Sequence, residues 1–281
     1  MPALRDLEIG VMFWAGRDPR ETLREVKALG VSCGQLGVPG DMPLEGAAEA
    51  WRSALEQEDF TVVTVFCAYV GESYADIPTV EKTVGFIPES TRAEREQRTK
   101  DVSHFAAAIG VKSIACHVGF VPEDRSDPKY TAVRDLVRRI CDHAALHGQT
   151  FALETGQEPA EILLEFLKDV DRKNLGINFD PANLIMYGSG DPIQAVEVLH
   201  EHLLSVHAKD GTWPPKKPEG ALGTEAPLGE GAVGMDKFIA KLKQVGYKGT
   251  LNVEREIDDL EQKKIDMRKG VDLLKRLTSA T

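Results

Sequence analysis

The chain has 281 residues, 42% hydrophobic and 28% charged, which is the composition of a globular protein long enough to bury a large core. Asp and Glu number 45 against 34 Lys and Arg, a formal net charge of −11. That balance argues against nucleic-acid binding, which needs a basic footprint, but leaves room for a small phosphorylated substrate held by a few local donors. No run of about 18 apolar residues is present to span a membrane. Residues Met1–Gly10 carry Arg5, Asp6 and Glu8 where a secretory signal would be apolar. Cys33, Cys67, Cys116 and Cys141 lie far apart with no CxxC pair, so the expectation is reduced core thiols in a cytoplasmic protein.

A short β-rich run followed by a helical run recurs eight times along the chain. Strand Leu7–Trp14 leads into helix Asp18–Leu29, where Asp18-Pro19 offers a cap with proline at the first helical position and Leu23, Val26 and Leu29 recur at helical spacing. Strands Val31–Gly37 and Thr61–Tyr69 follow. The second is apolar almost throughout, as suits a strand buried on both faces of a parallel sheet. Strand Val111–Val118 precedes helix Lys129–His147, with Val133, Leu136, Val137, Ile140 and Ala144 on one face. Strand Thr150–Glu154 precedes helix Glu161–Val170, with Ile162, Leu163, Phe166, Leu167 and Val170 as its apolar positions. Strands Leu175–Asp180, Leu204–His207 and Thr250–Glu254 complete the series. Gly30, Gly110, Gly148 and Gly246 stand where helices end before the next strand.

Eight alternating units predict an α/β fold, a closed (β/α)₈ TIM barrel forming a single domain over residues 1–281. An open doubly wound sheet is the alternative, but the first βα turn, Phe13–Asp18, lacks the GxGxxG fingerprint. Two connections exceed the usual length, one after strand three (about 70–90) and one after strand seven (about 211–235). In a barrel both fall on the C-terminal face, where they are lids, subunit contacts or plain surface insertions.

Strands five to eight each deliver one potential metal ligand at their C-terminal ends: Glu154, Asp180, His207 and Glu254. Three converging carboxylates repel one another unless a cation joins them. Three oxygens and one nitrogen suit Mn²⁺ first, with Mg²⁺, Co²⁺ or Zn²⁺ as alternatives. These segments (Leu153–Gly156, Asn178–Asn183, Val206–Asp210, Pro227–Gly231 and Asn252–Glu256) resemble the xylose isomerase-like barrel superfamily. The resemblance is to its branch of sugar and sugar-phosphate isomerases and epimerases, with hydroxypyruvate isomerase and inosose dehydratase as relatives. It covers nearly the whole chain. It implies that the four residues hold one divalent metal and that Glu154 and Glu254 double as the acid/base pair. Glu154 would remove a proton next to a metal-polarised carbonyl, and Glu254 would return one from the opposite face.

Some residues depart from the family pattern. Asn183 stands where many ketose epimerases carry a substrate-binding His. That leaves open other fates for the enediolate, such as isomerisation or loss of water from a keto-sugar or inosose. Strand three ends in Cys67, Ala68 and Tyr69, and Glu225 precedes Gly229. The superfamily's DNA-repair nucleases have additional His ligands at these places. A sugar-binding barrel without activity is a further alternative. The expected substrate contacts are His117, Asn183, Lys209, Gln157, Glu158 and Trp14. Lys209 could equally be salt-bridged, and Glu158-Pro159 also reads as a helix start. Arg255 should face the helices in an ion pair. His143 and His147, four apart on one helix, read as solvent-facing, as do His104, His200 and His202. The expected partners are a small sugar or sugar phosphate and further copies of the chain in a dimer or tetramer, with no nucleic acid and no membrane.

Overall fold

The computed structural model describes residues 6–279, so the first half of the Met1–Gly10 segment lies outside the described residues. In chain order the elements are β1 (Ile9–Trp14), α1 (Pro19–Lys27), β2 (Cys33–Val38), α2 (Ala47–Glu58), β3 (Thr61–Cys67), α3 (Ile77–Thr83), α4 (Glu89–Ala108), β4 (Ser113–Cys116), α5 (Pro128–Ala145), β5 (Thr150–Glu154), α6 (Ala160–Val170), β6 (Leu175–Phe179), α7 (Pro181–Tyr187), α8 (Pro192–Leu199), β7 (Leu203–Ala208), β8 (Asp210–Gly211), β9 (Glu225–Ala226), α9 (Met235–Gln244), β10 (Leu251–Val253) and α10 (Leu260–Ser279). The strands β1–β7 and β10 are all parallel and close in the order β1-β10-β7-β6-β5-β4-β3-β2, while β8 and β9 form a small antiparallel hairpin. The eighth predicted strand is therefore β10, and the predicted TIM barrel is the observed one.

Local chemistry sets many of the boundaries. Asp-Pro opens four helices, α1, α5, α7 and α8, each with the aspartate as N-cap and the proline in the first turn. At α1 the Asp18 carboxylate accepts from the amides of Arg20 and Glu21 at 2.8 and 3.0 Å. Strand β4 is shorter than predicted, because its outer residues bond elsewhere. The Val111 amide goes to the Ala106 carbonyl at the end of α4, and the Val118 carbonyl takes the Phe86 amide from the α3–α4 connection.

The main core lies between the barrel and its helices. A smaller cluster inside the barrel packs Met12 and Phe66 against Ala115 and Ala152. The rest of the interior is polar, with Gln35, Thr64, Asn178, Ser205 and Asn252 all buried. The four cysteines are free and buried, as the sequence implies. Among the described residues no helix is long and apolar enough to cross a membrane.

Candidate metal and sugar site

The closure of the barrel brings the four predicted ligands to one point. Glu154 ends β5, His207 lies in β7, and Asp180 and Glu254 are the first residues beyond β6 and β10. Each is buried, and each offers an atom within 4.8 Å of the others. His207 Nδ1 lies 2.8 Å from Glu154 Oε1, 3.0 Å from Glu254 Oε2 and 3.9 Å from Asp180 Oδ2. Asp180 divides its carboxylate: Oδ1 caps α7 through the amides of Ala182 and Asn183, and Oδ2 points at the cluster.

A divalent cation fits this donor set. Asp180 Oδ2 and Glu254 Oε2 are both buried without a hydrogen-bond partner and are met only by ionic contacts with His207 and Lys209 at 3.0–3.9 Å, which leaves their lone pairs open to a cation. Glu254 Oε2 is close to the His207 ring but off the N–H direction, so their contact is ionic only. The His207 ring is also oriented for ligation through Nδ1. Asn178 Oδ1 is fixed as an acceptor by Gln35 Nε2 at 2.9 Å and by the Ser205 hydroxyl. His207 Nε2 lies 2.9 Å from Gln35 Oε1 and 3.0 Å from Asn178 Nδ2, so Gln35 supports the tautomer with the proton on Nε2 and Asn178 the other, while Nδ1 faces the carboxylates.

Without a cation the charges rearrange among themselves. Burial alone would lower the His207 pKa, but Glu254 and Glu154 raise it well above the usual value, so a proton occupies Nδ1. Burial pushes Asp180 up, reinforced by Glu154 and Glu254 and opposed by Lys209. Burial opposes ionisation of Glu154 as well, yet His117 and His207 hold it well below the carboxylate range. Burial likewise works against the charge on Glu254, and His207 and Lys209 hold its pKa down.

The cluster opens into a cavity of about 770 Å³ walled by the strand ends and both long connections. Trp14, His117, Asn183 and Lys209 line it, as the sequence suggests. His117 Nε2 is 2.9 Å from Glu154 Oε2. Burial lowers its pKa, and Glu154 more than offsets this, raising it to about 9. Asn183 Nδ2 approaches Glu154 Oε1 at 3.4 Å. Gly156 makes that approach feasible, since a Cβ there would overlap the Asn183 side chain. Gly37 does the same for Trp14, whose ring a Cβ would meet at 2.5 Å.

Lys209 is salt-bridged, one of the two readings that the sequence offered, and it also faces the cavity. It lines the cavity and lies 3.4 Å from Glu254 and 3.8 Å from Asp180, with a closer bond to Glu256. Gln157 and Glu158 are buried behind the wall. Gln157 lies 3.5 Å from His117 Nδ1, and Glu158 accepts the Val121 amide at 2.7 Å. Arg255 faces α10 and pairs with Asp266 at 2.9 Å.

Both long connections roof the cavity. Tyr74 and Pro78 come from the first, and Gly220 and Leu222 from the second. The two meet where the Ile77 amide bonds the Gly220 carbonyl at 3.0 Å. Asp210 anchors the second connection through the amides of Gly211, Gly229 and Val233. Sequence reasoning missed Tyr74, which packs 5.2 Å from the His117 ring, and Gln35 and Asn178 behind His207. A glutamine or asparagine in the middle of a strand buried on both faces was the available signal for the latter two.

Comparisons with known proteins agree with this architecture. The family description "Xylose isomerase-like TIM barrel" matches residues 23–277. A xylose isomerase domain protein from Planctomyces limnophilus is 41% identical, with a TM-score of 0.90 and 97% of each chain covered. A xylose isomerase-like TIM barrel protein from Mycobacterium smegmatis, solved in complex with magnesium, has a TM-score of 0.72 at 16% identity, covering 98% of this chain and 97% of that one. D-allulose 3-epimerase from Methylomonas sp. has a TM-score of 0.71 at 16% identity, covering 99% and 100%. At 16% the likeness is one of fold. An uncharacterized protein of Methanocaldococcus jannaschii is 28% identical over 169 residues, 55% of this chain, and the chain spans about half of that protein's length (54%).

Proposed function

The chain belongs to the xylose isomerase-like TIM barrels, and from that membership and the site geometry we propose that it is a divalent-metal-dependent isomerase or epimerase of an uncharged sugar. The observation that carries this reading is the convergence of four ligand atoms, two of them accepting no hydrogen bond, with Glu154 and Glu254 of the four lining a sugar-sized cavity. A divalent cation held by Glu154, Asp180, His207 and Glu254 supplies Lewis-acid polarisation of a substrate carbonyl, which makes the neighbouring C–H acidic. Manganese is the first choice for this mixed oxygen and nitrogen set.

Glu154 is the base. A carboxylate flanked by two charged imidazoles is a weak one, but ligation through Nδ1 requires His207 to lose its proton. With the cation in place of that proton, the basicity of Glu154 is set by the cation and by His117, the other positive group that holds it ionised. His117 stays on Oε2 and keeps the carboxylate oriented. Glu254, on the far side of His207, returns the proton to the opposite face of the same carbon or to its neighbour. The substrate's stereochemistry decides which glutamate acts first. Trp14 and Tyr74 offer apolar faces to a sugar ring.

The cavity's charge favours a free sugar over a sugar phosphate. Besides Glu154 and Glu254, the wall carries Glu72, Asp76, Glu219, Glu225 and Glu256. Lys209, the lysine on that wall, is already engaged by Glu256, Glu254 and Asp180. A phosphate dianion entering here meets mostly like charge.

The test is a panel of ketoses and their phosphate esters, assayed after chelator treatment and after readdition of Mn²⁺, Co²⁺ or Mg²⁺. We expect metal-dependent turnover of a free ketose, with solvent deuterium entering next to the carbonyl without loss of water, and no turnover by Glu154→Gln. Turnover that survives chelation, or an unimpaired Glu154→Gln, overturns the mechanism. Preference for the phosphate ester overturns the charge argument alone.

A further inference from the structure

On the outside of the barrel, α4 and α5 bring three imidazoles together. His104 lies near the C-terminal end of α4, His143 in the last turn of α5, and His147 one turn further on, in the connection to β5. The His104 ring centroid is 4.7 Å from that of His143 and 5.0 Å from that of His147, and the latter two are 5.6 Å apart. Each ring offers a nitrogen within 4.8 Å of the others. The sequence expectation that His143 and His147 face solvent is corrected here. Both are half-buried, and the Nε2 of each is shielded from water with no hydrogen-bond partner.

We propose that His104, His143 and His147 form a zinc site with three protein ligands and a water in the fourth position, fastening α4 to the end of α5. A tetrahedral zinc holds its imidazole nitrogens about 3.3 Å apart, given Zn–N bonds of about 2.0–2.1 Å. The three nitrogens lie within 4.8 Å of one another, so closing on a zinc requires rotamer adjustments of the His143 and His147 rings as well as of the exposed His104 ring. Zinc would give the two orphaned nitrogens the partner they lack. Burial first, then the His104 and His147 rings and the Lys100 ammonium, keep the His143 pKa low, so the ring is the neutral ligand that metal binding requires. Lys100 itself is paired with Glu96 at 2.7 Å, and Lys112 reaches the His147 backbone carbonyl rather than its ring. A set of nitrogens without a carboxylate selects borderline metals such as zinc over magnesium or manganese, the reverse of the carboxylate-rich centre in the barrel.

The experiment titrates zinc chloride into the full chain, with calorimetry and elemental analysis after dialysis. Asp180→Asn combined with Glu154→Gln disables the barrel centre, so the zinc equivalent that this double variant retains reports the outer site. Adding His104→Ala should weaken that equivalent by about a hundredfold. His104 is exposed, so the fold should survive, with circular dichroism as the check. His104→Ala alone should leave turnover unchanged. Zinc bound equally well with and without His104 overturns the proposal. So does retained zinc held more weakly than about 100 μM, which is adventitious surface binding only.

Discussion

Replacing Gln35 with leucine tests whether the barrel interior, and not only the four ligands, sets metal affinity. Gln35 is fully buried in β2 and is not part of the cavity wall. Its Oε1 accepts from His207 Nε2 at 2.9 Å, and its Nε2 donates to Asn178 Oδ1 at 2.9 Å. Leucine removes both bonds. The His207 Nε2–H then has no acceptor, and an orphaned buried donor costs about 1–3 kcal/mol. The ring has an escape: Asn178 Nδ2 lies 3.0 Å from the same nitrogen and donates to it once the proton moves to Nδ1. That tautomer occupies the lone pair a metal needs, so the cost falls on metal binding. We expect the Mn²⁺ dissociation constant of Gln35→Leu to rise by about 10- to 100-fold, the usual effect of losing a residue that orients a ligand. Free Mn²⁺ measured by electron paramagnetic resonance gives the constant directly. Saturating Mn²⁺ should restore kcat. Wild-type affinity in Gln35→Leu refutes the tautomer argument, and a kcat that stays low at saturating metal shows that Gln35 acts on the reaction rather than through His207.

Asp210→Ala removes the acceptors that pin the second roof connection to the barrel. It should destabilise the protein by about 2 kcal/mol, raise KM and expose residues 211–235 to limited proteolysis, with Mn²⁺ affinity unchanged. Unchanged proteolysis would mean that the connection is held by other contacts. The pairing of His117 with Glu154 predicts a pH dependence of stability in the cation-free protein. The folded pKa of His117 is raised from 6.5 to about 9, so its contribution is complete below pH 6.5 and is lost as pH rises through about 9. The melting temperature should fall across that window, and less so in His117→Gln. Superimposable profiles for the two proteins would remove the ion pair as the cause.

The convergence of the four candidate ligands could be read from the sequence because a closed parallel barrel turns sequence order into spatial order. Glu154, Asp180, His207 and Glu254 each stand where an apolar run ends. Consecutive strands lie side by side, so their ends must converge. The network behind His207 was harder to read, since Gln35 is 172 residues away and meets it across the barrel interior. Gln35 nevertheless sits in a strand buried along its whole length, and a buried amide in such a strand must have partners. Glu158 shows the opposite error. Its place at a loop entrance suggested a sugar contact, but it is buried outside the cavity lining, with Oε1 held by the Val121 amide on the neighbouring connection.

The outer histidines mark where this kind of reading stops. His143 and His147 share a face of one helical stretch, and spacing alone can say that much. Whether that face meets water or a third imidazole depends on how α5 is rotated against α4. Barrel topology fixes which helices are neighbours but not their rotation about their own axes. The packing of buried residues on the inner faces sets that rotation: Val102, Phe105 and Ala106 on α4, and Leu136, Ile140 and Ala144 on α5. Those residues turn His104 toward His143 and His147. The central cluster of candidate ligands therefore follows from topology, whereas the outer histidine cluster follows from packing. Substitutions that repack α4 against α5 should loosen zinc at the outer site and leave Mn²⁺ binding in the barrel unchanged.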